Sequence, residues 1–119
     1  MPIERNTNLG NINISEEAIA TLAGGVVAEC YGVVGMASQK VLKDGLAELL
    51  KKENYSKGII VRKVDAKYEL DLFIVISFGV KISEVVTEVQ KKVKYELEKS
   101  LDLTFNAVNI YVQGIKVNE

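Results

Sequence analysis

The sequence predicts an α+β protein: an antiparallel sheet of three to four strands with three helices mainly on one face, in the order β-α-α-β-β-α-β. Three observations lead there. Apolar residues recur at helical spacing in three stretches, strict alternation marks the runs beginning at Tyr68 and Ala107, and residues 59–65 are rich in β-branched side chains. Each amphipathic helix carries one apolar stripe that needs cover, and a sheet with one apolar face provides it.

Taken in order, residues 9–14 alternate Leu9, Asn11 and Asn13 against Gly10, Ile12 and Ile14, a short strand after a flexible lead-in over 1–8. Ser15 suits a helix N-cap with Glu16 and Glu17 in the first turn, where unpaired N–H groups and the helix dipole favour oxygen and negative charge. Ile19, Leu22, Ala23, Val26, Val27 and Cys30 form that helix's stripe, and Gly32 ends it. Gly24 and Gly25 inside it each cost about 1 kcal/mol relative to Ala. Close backbone approach by another element accounts for that cost, and a smooth face for self-association is the alternative.

Gly32-Val33-Val34-Gly35 reads as a tight apolar turn, and Leu42, Leu46, Leu49 and Leu50 then predict a second helix over 41–52. A polar connection at 54–58 leads to the strand at 59–65, and Asp65-Ala66-Lys67 turns the chain into a second strand. There Tyr68, Leu70, Leu72, Ile74, Ile76 and Phe78 line one face, and Glu69, Asp71, Phe73, Val75 and Ser77 the other, so the two runs make an antiparallel hairpin. Ile82, Val85, Val86, Val89, Val93, Leu97 and Leu101 mark the longest helix, whose opposite face spaces Glu84, Glu88, Lys92 and Glu96 four apart as solvated surface. Val108, Ile110 and Val112 alternate with Asn109, Tyr111 and Gln113 in a closing strand.

With 119 residues, 48% of them apolar, the chain is expected to form one domain over 1–119. Fifteen Lys and Arg against sixteen Asp and Glu leave a net charge of -1, which offers no field to draw in nucleic acid or an anionic membrane. The longest apolar runs fall far short of the roughly 20 residues that cross a bilayer, so no direct membrane insertion is expected. The polar N-terminus lacks a secretory signal, and Cys30 is the only cysteine, so a cytoplasmic location fits.

The chain contains no His, which removes the commonest catalytic and metal-binding arrangements. Cys30 lies on a helical stripe with no base to activate it and reads as core filler. Glu69 and Asp71 share a face about 7 Å apart, a spacing that suits a carboxylate pair, although a solvated sheet face accounts for them as well. Phosphate-cradling glycine runs are absent, and no serine has a His partner or a nucleophile elbow. We therefore assign no catalytic, cofactor-binding or metal residue and expect a protein that is not an enzyme.

Two binding readings follow. Gly32 to Gly35 is a GxxG sequence, which between two helices resembles the backbone clamp of KH nucleic-acid-binding domains, with Lys40 and Lys43 as phosphate contacts. Its two central valines and the chain's net charge argue against it. The other is the sheet face opposite the helices, where Phe73 and Val75, joined by Tyr111, make an apolar patch for a protein partner. Three strands present only about 300 Å², against about 800 Å² per partner in a standard interface. Multivalency or a strand edge has to contribute.

Gly10-Asn11-Ile12-Asn13-Ile14-Ser15, Tyr31-Gly32-Val33-Val34-Gly35-Met36, Asp44-Gly45-Leu46, Ser56-Lys57-Gly58 and Val108-Asn109-Ile110-Tyr111-Val112-Gln113-Gly114 together resemble the alkaline shock protein family, cell-envelope stress proteins of Gram-positive bacteria, in its short form. The resemblance spans residues 9–117. It implies a non-enzymatic cytoplasmic protein without a cofactor, held near the membrane in some members by a membrane-anchored partner and self-associating in others. The family's recurrent glycines fall on Gly32, Gly35, Gly45, Gly58 and Gly114, where turn and packing roles are expected.

Overall fold

Residues 3–7, 9–41, 47–65 and 67–117 are described by a computed structural model. In chain order they form β1 (Ile3–Thr7), β2 (Gly10–Ile14), α1 (Glu16–Ala28), β3 (Val33–Val41), β4 (Ala47–Leu50), a 3-10 helix (Lys52–Gly58), β5 (Ile59–Val64), β6 (Lys67–Ser77), α2 (Ile82–Leu101) and β7 (Phe105–Lys116).

Local chemistry sets most of these boundaries. The Ser15 hydroxyl accepts from the N–H of Ala18 at 3.0 Å, so the expected cap starts α1. At the end of α2 the chain turns left-handed at Asp102, φ 54°, whose N–H donates to the Glu98 carbonyl at 2.9 Å. The Glu98 carboxylate in turn accepts from the N–H of Phe105 at 2.9 Å, so one residue both closes the helix and places the start of β7.

Strand β6 is the axis of a five-stranded sheet. Along one edge, from Tyr68 to Ser77, it pairs with β7 in parallel. Its other edge is divided: β5 pairs antiparallel with residues 67–72, and β3 pairs antiparallel with residues 74–76. Strand β4 extends the sheet beyond β3, while β1 and β2 pair with each other in a separate ribbon. A parallel neighbour cannot be reached by a tight turn, and α2 is the crossover that carries the chain back from the end of β6 to the start of β7.

Both helices pack on one sheet face. Val85, Val89, Val93, Leu97 and Leu101 recur every four residues on α2, and all are buried. They share a core with Ile19, Ala20, Ala23 and Val27 of α1, with Leu70, Leu72, Ile74 and Ile76 of β6, and with Met36 and Phe105. Each fully buried aliphatic side chain contributes about 1.5–3 kcal/mol relative to exposure. Among the described residues no helix is long and apolar enough to cross a membrane.

The α+β class, helices α1 and α2, the β5–β6 hairpin and the closing strand match expectation, and several elements do not. There are two α-helices among the described residues rather than three, and the sheet is mixed, because β7 joins it in parallel. Residues 33–50 carry β3 and β4 instead of a turn and a helix, with 42–46 outside the described residues. The polar connection forms a 3-10 helix, and the lead-in over 1–8 contains β1. On α1 the stripe is rotated: Ala20 and Gly24 are buried, whereas Leu22 is 45% exposed.

The glycines divide by cause. A Cβ on Gly24 would stand 3.1 Å from the Cβ of Tyr55, so close approach by the 3-10 helix explains it, but a Cβ on Gly25 meets nothing within 4 Å. Gly58 packs so tightly that a Cβ would lie 2.8 Å from the carbonyl oxygen of Ala37, and Gly32 adopts φ 85° in the turn before β3. Gly45 lies outside the described residues.

Candidate functional site

Strand alternation sends every second residue of β6 away from the helices, and register determines what meets there. Across the sheet, Arg62 of β5 stands opposite Glu69, which pairs with Ala107 of β7. Next come Ile60, Asp71 and Asn109, then Phe73 with Tyr111, then Gly35, Val75 and Gly114. Val75 and Ala37 are buried yet belong to a layer apart from the helix-side core.

The polar half of this face is a closed network. Arg62 reaches both carboxylates, at 3.0 Å to Glu69 Oε1 and through a second N–H to Asp71 Oδ2. Asn106 donates to Glu69 Oε2 at 3.1 Å, and Asn109 donates to Asp71 Oδ1 at 2.9 Å. Hydrogen bonds from Arg62 and then Asn106 hold the Glu69 carboxyl below the usual carboxylate range. Burial acts to raise the Asp71 carboxyl, but the bonds from Arg62 and Asn109 outweigh it and leave it lowered. The same pairing raises the Arg62 guanidinium above its ordinary value. A carboxylate held ionised by its neighbours is a poor proton donor, so the spacing of Glu69 and Asp71 serves to clamp β5, β6 and β7 together.

The apolar half is different in kind. Phe73 and Tyr111 stack with ring centroids 4.9 Å apart and planes 13° from parallel. Tyr111 is 45% exposed and Phe73 half-buried. Of the three residues expected to form a contact patch, these two are brought together with open ring surface. Val75, expected beside them as an open contact, is instead only 5% exposed between strands that carry Gly35 and Gly114.

The remaining candidates separate. Cys30 is buried, its thiol donates to the Val26 carbonyl at 3.4 Å, and burial pushes its pKa up. Gly32 to Gly35 is not a loop between two helices, because Val33 and Gly35 pair with Ile76 and Val75 in the sheet. Lys40 belongs to β3, and Lys43 lies outside the described residues. Arg62, Asn106 and Asn109 were not anticipated. The only signal for them was Arg62 interrupting an apolar strand, because their roles depend on pairing register.

A family model, the alkaline shock protein 23 family with cell envelope-related function, matches residues 4–117. The chain is 50% identical over 117 residues to the uncharacterized protein YloU of Bacillus subtilis (strain 168), covering 98% of each chain. It is 49% identical over 117 residues to the uncharacterized protein Spy1614 of Streptococcus pyogenes serotype M6, covering 98% of this chain and 97% of that one. Similarity to the uncharacterized protein YqhY of Bacillus subtilis (strain 168) is lower, 32% over 111 residues, covering 93% and 81%. No solved structure matches.

Proposed function

The chain belongs to the alkaline shock protein 23 family, whose function is cell envelope-related, and from that premise we propose that it is a non-catalytic protein-interaction or scaffold domain. It serves the envelope from the cytoplasm, with a protein partner that is membrane-anchored where the chain is recruited to the membrane. The observation that carries this reading is the Phe73–Tyr111 stack on the sheet face turned away from both helices. Stacked, partly open aromatics are rigid and apolar with a polar tip, the composition enriched at protein contacts. The two carboxylates on the same face are consumed by Arg62, Asn106 and Asn109, which favours binding over proton chemistry.

Cross-linking in cells followed by capture of the chain tests the proposal. The wild-type protein should retain a reproducible protein partner, and Phe73→Glu should reduce its recovery by at least tenfold while the circular dichroism spectrum stays the same. Equal recovery with the variant would remove this face from the interaction.

A further inference from the structure

Where α1 ends and α2 begins, a cleft of about 310 Å³ opens on the helix side of the molecule. Tyr31 lines it from the turn after α1, Val80 and Lys81 from the turn before α2, and Glu84, Val85 and Glu88 from α2 itself. Gly32 holds the two sides close: at its φ of 85°, a Cβ would lie 2.6 Å from a methyl carbon of Val85. The N–H of Val33 donates to the Cys30 carbonyl at 3.3 Å, and that of Val85 to the Lys81 carbonyl at 3.1 Å. Backbone bonds therefore fix both the turn that carries Tyr31 and the start of α2.

Tyr31 is 84% exposed, the most open aromatic ring among the described residues. Within that set no ring stacks on it and no cation stands over it. Its ring therefore keeps a free π face, which carries partial negative charge.

The charges around the cleft have an unequal balance. Lys81 and Glu84 pair at 3.7 Å and cancel, and Glu84 also meets the positive end of the α2 dipole in the first turn. Glu88, one turn further on, makes no ion pair among the described residues. Opposite it, α1 ends at Glu29 with no basic residue in its last turn, so the negative end of that dipole has no cationic side chain on it. At Cys30, next to Tyr31, burial raises the thiol pKa; Lys92 opposes the rise, and Glu29 and Glu88 add to it. Two carboxylates and one ammonium thus act on this corner, and the charge that it accommodates is a cation.

We propose that the cleft receives an arginine side chain of a protein partner, with its guanidinium over the Tyr31 ring and its N–H groups on the Glu88 carboxylate. The planar guanidinium stacks on aromatic faces and bonds carboxylates as a fork. Its methylene stem lies along Val80 and Val85, which line the same cleft. The proposal rests on the reading of the chain as a protein-interaction domain and adds an anchor on the side away from the Phe73–Tyr111 stack. Two separate contacts with one partner raise the effective concentration of each. The sheet face needs such help, since its area alone falls short of the roughly 800 Å² per partner of a standard interface.

The test uses the full chain and a blocked glycyl-arginyl-glycine tripeptide, with the citrulline tripeptide as its uncharged isostere. In amide NMR spectra the arginine peptide should shift Gly32, Gly79 and Glu88 with a dissociation constant of about 1–10 mM, the range of one charge-assisted bond and one cation–π contact. The citrulline peptide should bind at least tenfold more weakly. Glu88→Gln and Tyr31→Leu, both at exposed positions, should each weaken binding at least threefold and leave the unfolding midpoint unchanged. No saturation by about 50 mM, equal binding of the citrulline peptide, or an unaffected Glu88→Gln variant would overturn the site. Shifts confined to Phe73 and Tyr111 would do the same, because they place the peptide on the sheet face. The two readings fail separately: loss of the peptide result removes the cleft alone, whereas equal partner recovery by Phe73→Glu removes the sheet face alone.

Discussion

Asp71 is the charged residue that the fold depends on most directly. Its side chain is nearly inaccessible, and two donors from two different strands hydrogen-bond to it, the Arg62 guanidinium of β5, which also balances its charge, and the neutral Asn109 amide of β7. Removing it leaves Asn109 without its acceptor and Arg62 with Glu69 alone. Asp71→Ala should cost about 1.5–3 kcal/mol in urea unfolding at pH 7, the range for hydrogen bonds to charged groups. Because its folded pKa lies below the unfolded value, the contribution is complete above the ordinary carboxylate range and is lost as pH falls through the folded value. Wild-type stability should hold between pH 5 and 7 and decline below about pH 4. Asp71→Asn should lack that part of the decline, and an identical acid profile would show that the carboxylate is not linked to folding.

Elements differ in what a substitution can reveal. On α1 the neighbouring glycines are matched in helix position but not in surroundings. Gly25→Ala adds a methyl into open space and should stabilise by about 0.5–1 kcal/mol, seen as a rise in melting temperature. Gly24→Ala places its methyl 3.1 Å from Tyr55 Cβ, so the 3-10 helix must shift and the gain should be smaller or reversed. If both alanines stabilise equally, the packing of α1 on the 3-10 helix is looser than these distances state. In α2, Val89 sits at the centre of the buried stripe, and Val89→Ala should cost about 1.5–3 kcal/mol.

The same stripe joins the whole molecule. Strand β7 is parallel to β6 only because α2 spans the return, and the helix buries its apolar side on the sheet it connects. Helix, crossover and sheet should therefore unfold together, giving one cooperative urea transition with the same midpoint by circular dichroism and by tyrosine fluorescence. Two separated transitions would divide the chain into independent units. Phe73→Glu belongs to this scale too. It opens no cavity in the helix-side core, so its main effect should appear in partner recovery, with a loss of unfolding free energy of about 0.5–1.5 kcal/mol for the broken Phe73–Tyr111 stack.

The sequence by itself determined where chemistry is local. Ser15 followed by two glutamates starts α1, a four-residue repeat of valine and leucine makes α2, and strict alternation marks β6, because caps and periodicity act within a few residues. Phe73 and Tyr111 were legible as outward-facing for the same reason. Only the tertiary structure decided the rest. Widely spaced leucines after Gly35 suit a helix as well as an edge strand, and β3 and β4 form because β6 offers an edge that β5 leaves free. The parallel entry of β7, the engagement of Asp71 by Arg62 and Asn109, and the burial of Val75 all depend on register between strands far apart in the chain, which no local pattern encodes.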